Sequence, residues 1–215
     1  MVPSLSGLAP FQFAFVVRDL DRFVGEFDRP LLAGPWRGWV FGPQGHGREY
    51  RGTPAEWTLR LVLNSRSPQF EVIQPLDGPS VHADWLEERG EGFHHVGYVV
   101  PSLEQQTAKM EAAGHPVIAR IHSFGADRDG AAAYYDTADT LGFLVEAVEP
   151  PARMRPRTSP CNPSSIHGRR QSSCPRSVLA NTGTNRRPAA DYRVGSITDN
   201  VIETARAALP SMPAM

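Results

Sequence analysis

Four polar side chains stand in otherwise apolar stretches: Gln12 in "FQFAFVV", Glu71 in "FEVIQP", His95 in "GFHHVGYVV" and Glu146 in "VEAVEP". An unpaired carboxylate on a cavity-facing strand is costly, so Glu71 and Glu146 together call for one compensating charge. A divalent cation supplies it. Two carboxylates, one imidazole and one amide oxygen form a hard to borderline donor set, suited to zinc, nickel, cobalt, manganese or iron(II) and open to added water. Taken singly, each of the four reads more readily as a structural or solvated strand residue. Their symmetric placement is what points to a shared site.

That symmetry comes from the elements around them. Hydrophobic period and turn signals predict strands near 11–17, 36–41, 57–63 and 68–75, with a helix opened by Asp19 and running through Phe23 and Phe27. A short helix is expected at 81–89, with Ser80 as its cap and Gly90 at its stop. The pattern then restarts: a strand at 93–100, a helix from Ser102 with Gln105 completing a capping box, and strands near 116–122, 131–136 and 143–149. "QFAFVVRDL" from Gln12 aligns with "HVGYVVPSL" from His95, and "FEVIQP" aligns with "VEAVEP". Each half is strand, helix, three strands, so the chain carries an internal duplication. Two such units can close around a shared cavity.

Alternation along the strands separates the faces. Gln12, Ala14 and Val16 share one side, as do His95, Gly97 and Val99, while His94 falls with Val96 and Tyr98 on the side expected to back onto the helices. Ala14 and Gly97 are small and would leave room beside the ligands. Trp36, Trp39, Tyr134 and Tyr135 are candidates for lining the substrate cavity. The stretch 42–54, "GPQGHGREYRGTP", reads as a loop able to close over the site, with His46 solvated and Glu49 a possible further base beside Glu56. Arg18, Arg22 and Arg51 are candidates for a substrate carboxylate or phosphate.

At these residues the sequence resembles the vicinal oxygen chelate superfamily, which includes glyoxalase I, methylmalonyl-CoA epimerase, extradiol dioxygenases and bleomycin-resistance proteins. The resemblance covers about residues 8–150 and is strongest in "FAFVVRDLDRFVGEF", "LLAGPW", "FEVIQPLDGPS", "GEGFHHVGYVVPSL" and "GFLVEAVEP". It implies an α+β fold of paired βαβββ modules, at about 8–76 and 92–150, around a metal cavity. By position it implies the metal ligands Gln12, Glu71, His95 and Glu146. The implied activity is that of a metal-dependent isomerase, epimerase or lyase acting by proton transfer next to a carbonyl through a metal-bound enediolate. Glu146 is the first candidate for a ligand that doubles as base, and Glu71 for the second acid or base. Glutathione chemistry is disfavoured, because Val16 and Pro75 stand where such enzymes carry arginine and asparagine. A natural-product binding or resistance protein using the same cavity and an extradiol-type dioxygenase are the alternatives.

Composition frames these readings. Residues 1–150 carry a net charge of -8 and residues 151–215 a net charge of +7, so the chain changes character near Pro150. The later segment is basic and of low complexity. It is expected to be largely disordered, with one short helix near 198–209. Both cysteines, Cys161 and Cys174, lie there, so the first 150 residues hold no disulfide. A cytoplasmic homodimer acting on a small carbonyl compound, such as an acyl-CoA or polyketide-like molecule, is expected. Nucleic acid and membrane partners are not.

Overall fold

The computed structural model describes residues 5–42 and 47–154. The expectations for the basic segment, its short helix and His46 lie outside the described residues. The first half contains β1 (Pro10–Val16), α1 (Leu20–Leu31), β2 (Trp36–Phe41), the short strands β3 (Arg48–Tyr50) and β4 (Thr53–Pro54), β5 (Thr58–Asn64) and β6 (Gln69–Asp77). Helix α2 (Val81–Glu88) follows. The second half contains β7 (Gly92–Val99), α3 (Leu103–Ala112), β8 (Val117–Phe124), β9 (Gly130–Tyr135), α4 (Ala138–Leu141) and β10 (Leu144–Glu149).

All ten strands join one mixed sheet in the order β2-β5-β6-β1-β7-β10-β9-β8-β3-β4. The duplicated first strands β1 and β7 pair antiparallel at its centre, and each is flanked by the parallel last strand of its own half. This is the paired βαβββ arrangement.

The stretch 42–54 differs from its loop reading. Residues 48–50 and 53–54 form a hairpin, and Arg48, Glu49 and Tyr50 pair with β8 of the other half. Arg51, at φ 50°, and Gly52, at φ 76°, turn the chain between the two strands. Tyr50 is buried, and its hydroxyl bonds Asp84 of α2. A polar, glycine-rich stretch is thereby held by edge pairing and one inward aromatic, neither of which hydropathy records.

Helix starts follow the local chemistry. Asp19, Ser80 and Ser102 each accept a hydrogen bond from the backbone N–H three residues on, at 3.0, 3.1 and 3.3 Å. Helix α1 buries Leu20 and Val24 against Val17, Val62 and Val72. Helix α3 buries Leu103 and Met110 against Tyr135, Val145 and Ala147. Each large apolar side chain so buried contributes about 1.5–3 kcal/mol. On the other face of the sheet, α2 packs Val81, Trp85 and Leu86 with Ala14, Val16, Trp39 and Tyr134. The candidate site lies on this α2 face.

Candidate active site

Sheet register explains why small residues alternate with polar ones at the centre. Ala14 pairs with Glu71 on one side and His95 on the other; Gly97 pairs with Gln12 on one side and Glu146 on the other. Long side chains from both flanks therefore converge over two positions that fill little space. At Gly97 the room is already used. A Cβ there would lie 3.0 Å from the Phe11 ring and 3.1 Å from both Cβ and Oε1 of Gln12, so any larger residue would have to push one of these side chains aside by a few tenths of an ångström.

The four residues are buried. His95 Nε2 lies 3.5 Å from Glu71 Oε2 and 3.3 Å from Glu146 Oε2, and it has no hydrogen-bond partner. Donors bonded to one cation at about 2.1 Å stand roughly 3.0–3.4 Å apart, so an orphaned imidazole nitrogen between two carboxylates fits a metal-binding edge. Neither carboxylate pairs with a lysine or arginine among the described residues. Burial, and secondarily the charge of Glu146, hold the Glu71 carboxyl well above the usual range, the mark of a carboxylate pair short of a counter-charge. Gln12 Nε2 donates to Gln69 Oε1 at 2.7 Å, which leaves Gln12 Oε1 as the free acceptor. By chemistry, two carboxylates, an imidazole nitrogen and an amide oxygen are donors suited to a divalent cation.

His94 departs from strict alternation. Ala14 pairs with His95 and Phe15 with Phe93, so His94 is the extra residue of a β-bulge. Its ring turns to α2 instead of α1 or α3, stacking on His82 with centroids 4.8 Å apart and meeting Trp85 edge-on at 5.1 Å. His94 Nδ1 lies 2.8 Å from His95 Nδ1. If His95 offers Nε2 to a cation, its Nδ1–H donates to His94 Nδ1, and His94 sets the tautomer and tilt of the ligand ring.

His82 was not singled out from sequence. It is fully buried, and neither ring nitrogen has a partner. Burial, with His95 as the lesser cause, pushes its pKa down to about 3, so the ring is uncharged at neutral pH. One nitrogen from each of His82, His94 and His95 falls within a 4.8 Å group. Its available signal was helical spacing, since His82 precedes the buried Trp85 and Leu86 by three and four residues.

Beside these groups opens a cavity of about 130 Å³. Gln12, Glu71, His82, Tyr134 and Glu146 form its polar wall. Phe11, Trp39, Phe41, Leu61, Ile121 and Phe124 are among its apolar walls. Tyr134 pairs with Glu146 across the sheet; burial first, then the two glutamates, raise the phenol well above its usual pKa. Trp36 and Tyr135 are placed elsewhere: Trp36 meets Phe27 of α1 at 6.1 Å, and the Tyr135 hydroxyl meets Thr107 of α3 at 2.9 Å. Residues 134 and 135 necessarily face opposite ways, and so do 36 and 39.

The remaining candidates are engaged away from the cavity. Arg18 bonds the Leu86 carbonyl, Arg22 pairs with Glu26 and Glu91, and Arg51 pairs with Asp84. Glu49 lies 3.3 Å from His122, and Glu56 is absent from the cavity wall.

A sequence model of the Glyoxalase/Bleomycin resistance protein/Dioxygenase superfamily matches residues 11–135. The chain belongs to that superfamily. Among curated relatives, the uncharacterized protein YqjC of Bacillus subtilis (strain 168) is 31% identical over 84 residues, which is 39% of this chain and 59% of that protein. The match therefore spans little more than half of the relative. Among solved structures, methylmalonyl-CoA epimerase of Mycobacterium tuberculosis aligns over 71% of this chain and 93% of its own, at 20% identity and a TM-score of 0.43. The hypothetical protein BH1468 of Bacillus halodurans C-125 aligns over 68% and 96%, at 17% identity and a TM-score of 0.47. No helix among the described residues is long and apolar enough to cross a membrane. As a superfamily member the chain has the paired-module fold; what it does with its cavity follows from the side chains there.

Proposed function

We propose that this superfamily member is a metal-dependent isomerase, epimerase or lyase that moves a proton at the carbon next to a substrate carbonyl. The observation that carries the reading is His95 Nε2, buried and unpartnered, held between Glu71 and Glu146, two carboxylates that themselves stand in the wall of an apolar cavity. Gln12, Glu71, His95 and Glu146 are the residues that would hold one divalent cation, of the zinc, nickel, cobalt, manganese or iron class. When bound, that cation supplies positive charge near an oxyanion developing on the substrate.

The chain's own groups account for the proton. Glu71 and Glu146 approach His95 from strands on opposite sides of the central pair, so one carboxylate can take a proton that the other, or the same one, returns. Tyr134, opposite Glu146 in the sheet and in the same cavity wall, keeps a hydroxyl donor beside that carboxylate. The apolar walls exclude water, which strengthens each of these interactions. Sequestration of a natural product is the second reading, favoured by the same apolar walls.

The two are separated by solvent deuterium exchange. Wild-type protein of known metal content, incubated in D2O with a panel of acyl-CoA and 2-oxo compounds, is expected to label one of them at the carbon beside the carbonyl. Glu146→Gln is expected to lower that exchange at least 100-fold, in keeping with loss of a general base. Unchanged turnover in Glu146→Gln with normal metal content would refute its role. Tight binding without exchange in the wild type would favour sequestration.

A further inference from the structure

Resting on that reading of the cavity, we propose that His82 is its substrate-recognition group, hydrogen-bonding an uncharged oxygen of an apolar carbonyl compound that bears a second oxygen. Three observations carry it. His82 lines the cavity, is 1% exposed, and has both ring nitrogens without a partner. A buried polar group left unpaired is costly, and the cavity that the His82 ring borders is the space from which a partner would come. Its ring is fixed by stacking on His94 and by an edge contact with Tyr134 at 5.4 Å, so it is held in place before any ligand arrives.

The cavity also defines what it rejects. Its described lining includes no lysine or arginine, while Glu71 and Glu146 stand in the polar wall. A substrate carboxylate or phosphate beyond the reacting oxygen would meet two carboxylates and no cationic side chain. The other walls are aromatic and aliphatic. An imidazole is suited to an uncharged hydroxyl or carbonyl, since it can donate from one nitrogen and accept at the other. The ring centroids of His82 and His95 are 6.4 Å apart, so one oxygen at the glutamate–His95 cluster and another at His82 fit a single small molecule. A site built to bond a particular oxygen discriminates strongly against analogues lacking it.

The test uses the full chain as purified, with its metal content measured, and three probes followed by calorimetric titration: 2-hydroxyacetophenone, acetophenone and mandelate. The hydroxyketone is expected to bind at least tenfold tighter than acetophenone, and mandelate weakest. His82→Phe is expected to lose about tenfold for 2-hydroxyacetophenone while acetophenone changes less than twofold, and His82→Asn to recover part of the loss. Equal loss for both ketones in His82→Phe, or an unchanged ratio, assigns His82 to packing and overturns the proposal. Loss of metal from His82→Phe overturns it in favour of a histidine metal site. Tighter mandelate binding, or no binding of any probe by the wild type, overturns the substrate class. Deuterium exchange in the same samples is read separately: binding with the expected ratio but no exchange leaves His82 recognition standing and removes the isomerase reading.

Discussion

Lowering the pH from 7.5 to 5.5 should cost the fold one proton's worth of stability at His82. In the unfolded chain this ring titrates near 6.5; in the fold, burial and then His95 bring it down to about 3. A folded pKa below the unfolded one means that, between those values, the unfolded chain holds a proton the native state excludes. The contribution is therefore complete above about pH 6.5 and is lost as pH falls toward 3, at up to about 1.4 kcal/mol per pH unit. Only the unit from 6.5 to 5.5 counts strongly, giving a loss on the order of 1 kcal/mol. For a domain of about 150 residues this is roughly 2–4 °C in Tm.

Two neighbours also titrate, and the comparison is designed around them. His94, likewise lowered by burial first and by His82 and His95 after it, acts in the same direction. Glu71, raised by burial and Glu146, takes up a proton in the fold and acts in the opposite one. Both remain when His82 is replaced by Phe, which can keep the stack on His94 and the edge contact with Tyr134. Urea unfolding of wild type and His82→Phe at pH 7.5, 6.5 and 5.5, in chelator, isolates the His82 share. The wild type should lose roughly 1 kcal/mol more than the variant across that range. A stability difference constant to within about 0.3 kcal/mol across the three pH values would show that His82 is not held uncharged by burial, and the reasoning would fail.

Two further substitutions probe the cluster and its frame. Glu71→Gln should stabilise the chelated protein at pH 7.5 by roughly 1–3 kcal/mol, because a carboxyl whose ionisation burial and Glu146 both oppose is replaced by a neutral amide; zinc affinity should fall at the same time. Since the folded pKa of Glu71 is raised, the penalty exists only above the unfolded value, so this gain should vanish near pH 4 in urea titrations. Gly78→Ala should destabilise by about 2–4 kcal/mol in thermal melts, because φ is +80° and the added Cβ would sit 2.1 Å from the Glu56 carbonyl oxygen.

The duplicated sheet was legible because the two halves repeat in residues as well as in order, "QFAFVVRDL" matching "HVGYVVPSL" and "FEVIQP" matching "VEAVEP", and three helices announce themselves by Asp19, Ser80 and Ser102. The β3–β4 hairpin was not, because its stability comes from pairing with β8 and from Tyr50 reaching Asp84, contacts made at long range. Trp36 and Tyr135 show the cost of choosing residues by type alone. Period two already puts Tyr135 opposite Tyr134, and three-residue spacing puts Trp36 opposite Trp39. Gln69 was missed for a different reason. It shares its face with Glu71, but its importance is to hold the Gln12 amide, which only the parallel register of β1 and β6 reveals.

The histidine doublet carries the larger lesson about what alternation can settle. Strict period two sends His94 to the helices and leaves His95 alone at the centre. One inserted residue at His94 reverses this locally, since the bulge brings both rings to the α2 face while the flanking pairs Phe15–Phe93 and Phe13–Val96 keep the register needed on the other side. A single-residue slip of the whole strand would have exposed its apolar set, so the bulge must be confined to the doublet. The gain is that the fully buried His95 Nδ1 finds a nitrogen at 2.8 Å, and its Nε2 is left pointing at two carboxylates. Sequence can pick His95 as the candidate ligand. That its orientation depends on His94 follows only from the backbone irregularity that the two histidines share.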